Sequence, residues 1–415
     1  MTLYNLRVLQ LQNAKTLRAE LEKIGADSSL ARDRMDQGVV HAVKLEQVPP
    51  RLARFLYQEL ILEGGAVILP ARLDEWVAGN IDVLLLGTRY QLQHLAIRIR
   101  TQSESELDLL ADDLERALAI FALGERGALT VRATRFDWGK RTYVMGILNV
   151  TPDSFSGDGV VTQDENFVAS AVARAEQLIA DGADILDIGG ESTRPGSAPT
   201  LAEEEQRRVI PVIKALRDRV HVPISIDTYR AETAQLALDA GADMVNDVWG
   251  LRMDAAMKHL VARRAVPIVL MHNRSKPKDV VQSARLGGRY VGVQYADLLA
   301  DVIRELRAQI ELGLDAGIAP EKIIIDPGIG FGKTLEQNIE LLNRLGELRV
   351  LGFPILLGPS RKGFIGFTLD LPSDQRVEGT AATVVLGIGR GADIVRVHDV
   401  KQIARAAKMT DAIVR

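Results

Sequence analysis

YVMGILNV (143–150) is an apolar run that closes on an asparagine, and the same design recurs seven more times before the chain ends. ADILDIG (183–189), VPISIDT (222–228), ADMVNDV (242–248), VPIVLMH (266–272), KIIIDPG (322–328), FPILLGPSR (353–361) and ADIVRVHD (392–399) each pass from Val, Ile or Leu into a small cluster of Gly, Asp, Asn, Arg, Lys or His. Continuous aliphatic runs suit strands buried on both faces, as in a parallel sheet. Parallel strands need long crossovers, and the gaps supply them. NFVASAVARAEQLIADG (166–182) and AETAQLALDAG (231–241) show helical patterning and end on glycine. Eight such units over roughly 275 residues match the size of a (β/α)8 barrel, whose chemistry sits where the strands end.

Outside these units lie residues 1–125, of different texture. Strand-like runs (LYNLRVLQL, VVHAVKLEQV, GAVILP, IDVLLLGT) alternate with amphipathic stretches (AKTLRAELEKIG, RLARFLYQELILEG, SELDLLADDLERALAIFA). The expectation is a smaller α/β or α+β domain at 1–125 and the barrel at 126–415, since 415 residues exceed what one core usually serves. GERGALTVRATRFDWGKR (124–141) reads as the seam, with a hairpin leading into the first barrel strand. Cysteine is absent, which removes disulfides and thiolate chemistry together. No apolar stretch approaches the ~20 residues of a membrane span, and the N-terminus turns charged too soon for a signal peptide. The chain reads as cytoplasmic. A net charge of −4 argues against general nucleic-acid binding but leaves room for a local basic pocket.

The polar residues at the strand ends carry the chemistry. Asn149 offers an amide oxygen, which suits a hard cation such as Mg²⁺ that keeps most of its waters. The following TPDSFSGDG (151–159) sets Phe155 on a glycine-punctuated loop. That reads either as a lid with one apolar wall or as a turn whose Phe packs on a helix. DIGGESTRPGS (187–197) projects Thr193, Arg194 and Pro195 from a second loop. Asp227, the pair Asn246–Asp247, and Asp326 end three further strands. An Asp there is often only a helix N-cap, but several at one rim would read a flat heterocycle presenting N–H donors. DPGIGFGK (326–333) adds Lys333, GPSRKG (358–363) adds Arg361 and Lys362, and the last strand adds Arg396 and His398, two apart and so on one face. With Arg194, Lys333, Arg361, Lys362 and Arg396 at one mouth, the bound species is expected to be anionic, with phosphate or diphosphate favoured.

With these residues placed, the chain from about residue 130 to 415 resembles the dihydropteroate synthases, through NVTPDSFSGDG, DIGGESTRPGS, SIDT, NDV, DPGIGFGK, SRKGFIG and RVHDV in order. The resemblance implies condensation of 6-hydroxymethyl-7,8-dihydropterin diphosphate with p-aminobenzoate, releasing pyrophosphate. It implies that Asp227, Asn246 and Asp326 read the pterin edge, with Lys362 and Arg396 beside it. Arg396 and His398 would hold the diphosphate, and Asn149 would contact Mg²⁺. Asp153, Phe155, Thr193, Arg194, Pro195, Phe331 and Lys362 would form the p-aminobenzoate pocket. Lys333, Ser360 and Arg361 complete the substrate-binding set, and Asp153, Asp227, Arg194 and Lys362 the catalytic one. Small-molecule substrates and a homodimer are expected, with neither nucleic acid nor membrane as partner. Two other readings stand beside it: a methyltetrahydrofolate-binding methyltransferase, and a pterin-binding barrel without catalysis. For residues 1–125, docking or oligomerisation without chemistry is favoured over a second folate-pathway activity.

Overall fold

A computed structural model of the chain describes residues 21–24, 38–71, 79–102, 105–122, 127–150, 165–191, 200–275, 282–283, 289–290 and 293–415. The contacts divide the chain into two compact units, Met1–Leu123 and Gly124–Arg415. Among the described residues, no helix is long and apolar enough to cross a membrane.

In the first unit, β1 (Val40–Val48), β2 (Ala66–Ile68) and β3 (Ile81–Thr88) form an antiparallel sheet in the order β1-β3-β2. Alternation along β3 sends Ile81, Val83 and Leu85 to one face, where they join Leu56, Leu60, Leu92 and Leu95 in a core. The last two residues belong to a helix, Arg89–Arg100, that was not among the expected elements. Thr88 and Gln91 close a capping box at its start. The expected run LYNLRVLQL lies outside the described residues.

The second unit opens with the hairpin β4 (Ala128–Val131) and β5 (Thr134–Asp137). Eight parallel strands follow at the eight expected places: β6 (Tyr143–Asn149), β7 (Ile185–Gly189), β8 (Ile224–Asp227), β9 (Met244–Asp247), β10 (Ile268–Met271), β13 (Ile323–Asp326), β14 (Leu356–Leu357) and β15 (Ile394–Val397). The short ladder of β11 (Gln282–Ser283) and β12 (Arg289–Tyr290) falls between β10 and β13. The sheet runs β13-β10-β9-β8-β7-β6-β15-β14. A bridge from Ile325 to Ile355 joins its two ends, so the barrel closes and no edge is left.

Two cores sandwich the strands. Outward residues such as Leu186, Ile188, Ile226, Val245, Leu270 and Ile325 pack under the surrounding helices. Inward residues Met145, Ile185, Met244, Val269, Ile324, Leu356 and Ile394 form one apolar layer across the barrel interior, capped by Leu129, Val131, Phe136 and Trp138 of the hairpin segment. The strand starts are thereby sealed with hydrocarbon, and polar chemistry is confined to the opposite end.

Candidate active site

Two residues beyond that apolar layer, the inward positions change character. Ile185, Met244, Ile324 and Ile394 are succeeded on the same face by Asp187, Asn246, Asp326 and Arg396. β8 contributes Asp227, which pairs in register with Gly189 on one side and Asn246 on the other. The period of two therefore delivers a layer of carboxylates, an amide and a guanidinium to the interior near the strand ends.

Arg396 organises this layer. Its Nε donates to Asp187 Oδ2 at 2.5 Å and its Nη2 to Asp227 Oδ2 at 2.6 Å, while Asn246 Nδ2 donates to Asp187 Oδ2 at 3.1 Å. Burial opposes the charge on Arg396, but the two carboxylates outweigh it and its pKa is raised. Burial pushes Asp227 up to about 7, with Arg396 pulling the other way and Asp187 adding to the rise. Burial also raises Asp326, whose Oδ1 accepts from the Gly328 amide at 2.7 Å. One oxygen of each partner of Arg396, Asp187 Oδ1 and Asp227 Oδ1, is buried without a hydrogen-bond partner among the described residues. Buried acceptors left unsatisfied are costly, and a ligand edge rich in N–H donors would satisfy both. Asp187 was not singled out in the sequence. Its signal was present, because a carboxylate two residues after an inward-facing Ile of an apolar run must itself face inward.

Lys362 closes one flank. Its Nζ donates to the Ile329 carbonyl and sits 4.5 Å from the centroid of the Phe331 ring. Burial lowers its pKa to about 8, against the attraction of Asp326. On another flank, Ser360 Oγ accepts from the His398 backbone N–H at 3.1 Å and lies 3.0 Å from His398 Nδ1. The hydroxyl, with one donor and two acceptor sites, can serve either tautomer of the ring. The Asn149 amide nitrogen is 3.5 Å from His398 Nε2, so the ends of β6, β14 and β15 gather Asn149, Ser360 and His398.

Two of the five expected cations are committed elsewhere. Arg361 is bidentate to Asp399, with Nε–Oδ2 at 2.9 Å and Nη2–Oδ1 at 2.5 Å. Lys333 is buried, and its ammonium donates to the Gly328 and Phe331 carbonyls and to His272 Nδ1, each at 3.1 Å. Neither is an open charge waiting for an anion. Asp247 is also structural: its oxygens accept from the backbone N–H of Trp249 at 2.9 Å and of Leu251 at 2.8 Å. Asp153, Phe155, Thr193, Arg194 and Pro195 lie outside the described residues. Among the described residues, no group of three or more His, Asp or Glu side chains is arranged to hold a metal ion. A Mg²⁺ that takes one protein oxygen and keeps its waters needs no such group, and the amide of Asn149 fits it. A separate cavity of about 400 Å³ opens among Arg252, Arg274, Glu305, Ala308, Gln309 and Leu312, and shares no residue with the carboxylate layer.

A family model described as pterin binding enzyme matches residues 145–398. The chain is 48% identical over 288 residues to the dihydropteroate synthase of Clostridium beijerinckii, which spans 69% of this chain and 100% of that protein. Among solved structures, a dihydropteroate synthase of Clostridium difficile in the presence of pteroic acid matches with a TM-score of 0.62 and 50% identity, covering 68% of this chain and 99% of that one. A probable bifunctional folylpolyglutamate synthase/dihydropteroate synthase of Haloferax volcanii is 37% identical over 400 residues. That match takes in 94% of this chain, and so most of the first unit, but only 46% of that protein.

Proposed function

The chain belongs to the pterin binding enzyme family, and on that premise we propose how its barrel mouth divides the work. Its activity is dihydropteroate synthesis: it condenses 6-hydroxymethyl-7,8-dihydropterin diphosphate with p-aminobenzoate, giving 7,8-dihydropteroate and pyrophosphate. It is a transferase, and neither the methyltransferase reading nor the barrel without catalysis is retained.

We assign the pterin edge to Asp187, Asp227, Asn246 and Asp326. The observation that carries this is the pair of partnerless oxygens on Asp187 and Asp227, oriented by one arginine. Arg396 also screens the two carboxylates from each other, so that a neutral, donor-rich heterocycle can enter. The diphosphate falls to His398 and to Ser360, its hydrogen-bonded neighbour. Asn149 would hold Mg²⁺ through its amide oxygen, and the ion would supply positive charge against the departing pyrophosphate. The methylene C–O bond breaks as pyrophosphate departs, and the neutral arylamine nitrogen then forms its bond to the same carbon. The amine's proton passes to the departing pyrophosphate, and Asp227 at the pterin edge steadies positive charge as it develops. The p-aminobenzoate pocket is assigned to Phe331 and Lys362, together with Asp153, Phe155, Thr193, Arg194 and Pro195. No protein nucleophile is required, which suits a chain without cysteine.

A second copy of the chain is the partner we propose. Phe367, Leu369, Val385, Leu386, Met409, Ile413 and Val414 are exposed on three helices, Gly363–Leu369, Val377–Gly389 and Val400–Val414, of which each packs on the next. Residues 1–125 are read as a docking or assembly unit without chemistry.

The test is order of binding. Calorimetry should show p-aminobenzoate binding only when pyrophosphate or the pterin diphosphate is already present, because the anion completes the pocket. Equally tight binding to the empty chain would contradict this assignment.

A further inference from the structure

We propose that Lys333 is a positioning residue for the arylamine half of the site, braced by buried His272 and its partner Glu305, and that it acts through Phe331 and Lys362 rather than on substrate. The inference rests on the assignment of Phe331 and Lys362 to the p-aminobenzoate pocket.

The loop after β13 is intrinsically loose. Gly328, Gly330 and Gly332 all have positive φ (68°, 83° and 57°), a region that glycine enters freely and at an entropic cost on ordering. The loop nevertheless must hold two groups in place: the Phe331 ring beneath the Lys362 ammonium, and the Ile329 carbonyl that accepts from it. Lys333 is the tie. Its Nζ reaches back to the carbonyls of Gly328 and Phe331, which bracket Ile329, at 3.1 Å each. The third N–H of the ammonium goes to His272 Nδ1, also at 3.1 Å, so all three of its donors are used.

The far side of the tie is rigid. His272 is fully buried, and its Nε2 lies 3.0 Å from Glu305 Oε2. Arg274 fixes the other oxygen of Glu305 through Nε at 2.8 Å. Burial lowers the His272 pKa to about 4. The ring is therefore neutral near pH 7, accepting from Lys333 on Nδ1 and donating to Glu305 from Nε2. At its start the loop is held still more closely, since a Cβ on Gly328 would lie 1.9 Å from the His272 carbonyl oxygen. Asn338 adds the last stitch, accepting from the Gly330 amide at 2.6 Å and donating to the Thr334 carbonyl at 2.7 Å. Burial also lowers the Lys333 pKa to about 7, against the attraction of Asp326.

The experiment compares full-length Lys333→Met, Lys333→Gln, His272→Gln and Phe331→Ala by steady-state kinetics on both substrates, with circular dichroism to establish folding. Lys333→Met keeps the stem and loses every donor. It should raise the KM for p-aminobenzoate roughly tenfold and change that for the pterin diphosphate less than about twofold. His272→Gln can still accept from Lys333 and donate to Glu305, and should stay within about threefold of the parent in both. Lys333→Gln, the fallback if the Met variant does not fold, should fall between them. A rise in the KM for the pterin diphosphate as large as that for p-aminobenzoate would overturn the proposal in favour of direct anion contact or a general loss of structure. Unchanged p-aminobenzoate kinetics in folded Lys333→Met, with Phe331→Ala impaired, would overturn the positioning role alone. Unchanged kinetics in Phe331→Ala would remove the pocket assignment on which the role depends.

Discussion

Replacing Asp227 with Asn tests the pterin assignment at its most exposed point. In the parent, Oδ2 accepts from Arg396 Nη2 at 2.6 Å, while Oδ1 is buried with no partner among the described residues. An amide has one acceptor oxygen, so the side chain of the Asp227→Asn variant can serve either Arg396 or the ligand. Its NH₂ must then face an N–H of the other. The loss combines a charge-assisted hydrogen bond, worth about 1.5–3 kcal/mol, with a buried donor left unsatisfied at about 1–3 kcal/mol. Partial relaxation of the amide offsets part of that, and a net of about 2–4 kcal/mol corresponds to roughly 30- to 1000-fold in affinity. Stability should respond differently. Arg396 retains Asp187, and the variant no longer buries a charge that desolvation disfavours, so the unliganded chain should melt close to the parent. Calorimetric titration with the pterin diphosphate, beside thermal melts, separates the two effects. Affinity within about twofold of the parent, in a folded variant, would refute the reasoning, because an occupied Oδ1 could not be lost so cheaply.

Four further outcomes are expected. Because burial raises Asp227 from 3.8 to about 7, pterin affinity should fall as pH drops from 8 to 6, approaching about tenfold per unit, and flatten in Asp227→Asn; a flat parent profile would count against it. The same shift means the folded state holds this proton more tightly than the unfolded one. The group's contribution to stability should then decline as pH rises between those two values, which acid-range melts of parent and variant would show. Asp247→Ala strands the amides of Trp249 and Leu251 and should cost about 1–3 kcal/mol in chemical denaturation, with kcat nearly unchanged at permissive temperature. A fragment beginning at residue 126 should keep synthase activity, since every described site residue lies beyond it; a folded but inactive fragment would give the first unit a part in the chemistry.

Much of this molecule was legible because two periodicities coincide. Eight apolar runs ending in polar clusters gave the strands, and buried parallel strands between helices admit few alternatives. Strand ends are visible in a sequence, so Asp227, Asn246, Asp326 and Arg396 could be named in advance, and the fold brings them into one layer. Asp187 was harder to see, because it sits inside the run ILDIG rather than at its end. Only its alternation with Ile185 marks it as inward-facing. Pairing was not legible at all. Nothing in SRKG shows that Arg361 is taken by Asp399, 38 residues away in sequence, or that Lys333 turns under its own loop to His272, 61 residues away. A cation's availability depends on such long-range partners, and counting charges at a rim overstates what an anion would meet. Helix Arg89–Arg100 shows the reverse. Its buried residues, Leu92, Leu95, Ala96 and Ile99, follow helical spacing, but the polar residues between them masked the pattern.

The central claim is that this one mouth reads a pterin diphosphate and couples it to an arylamine. Its most direct test incubates the full-length chain with 6-hydroxymethyl-7,8-dihydropterin diphosphate, p-aminobenzoate and Mg²⁺, and measures pyrophosphate and 7,8-dihydropteroate together. The two products should appear in equal amounts, neither forming when either substrate is omitted, and both should be lost in parallel in Asp227→Asn. Pyrophosphate released without dihydropteroate, or equal turnover in Asp227→Asn, would contradict the account.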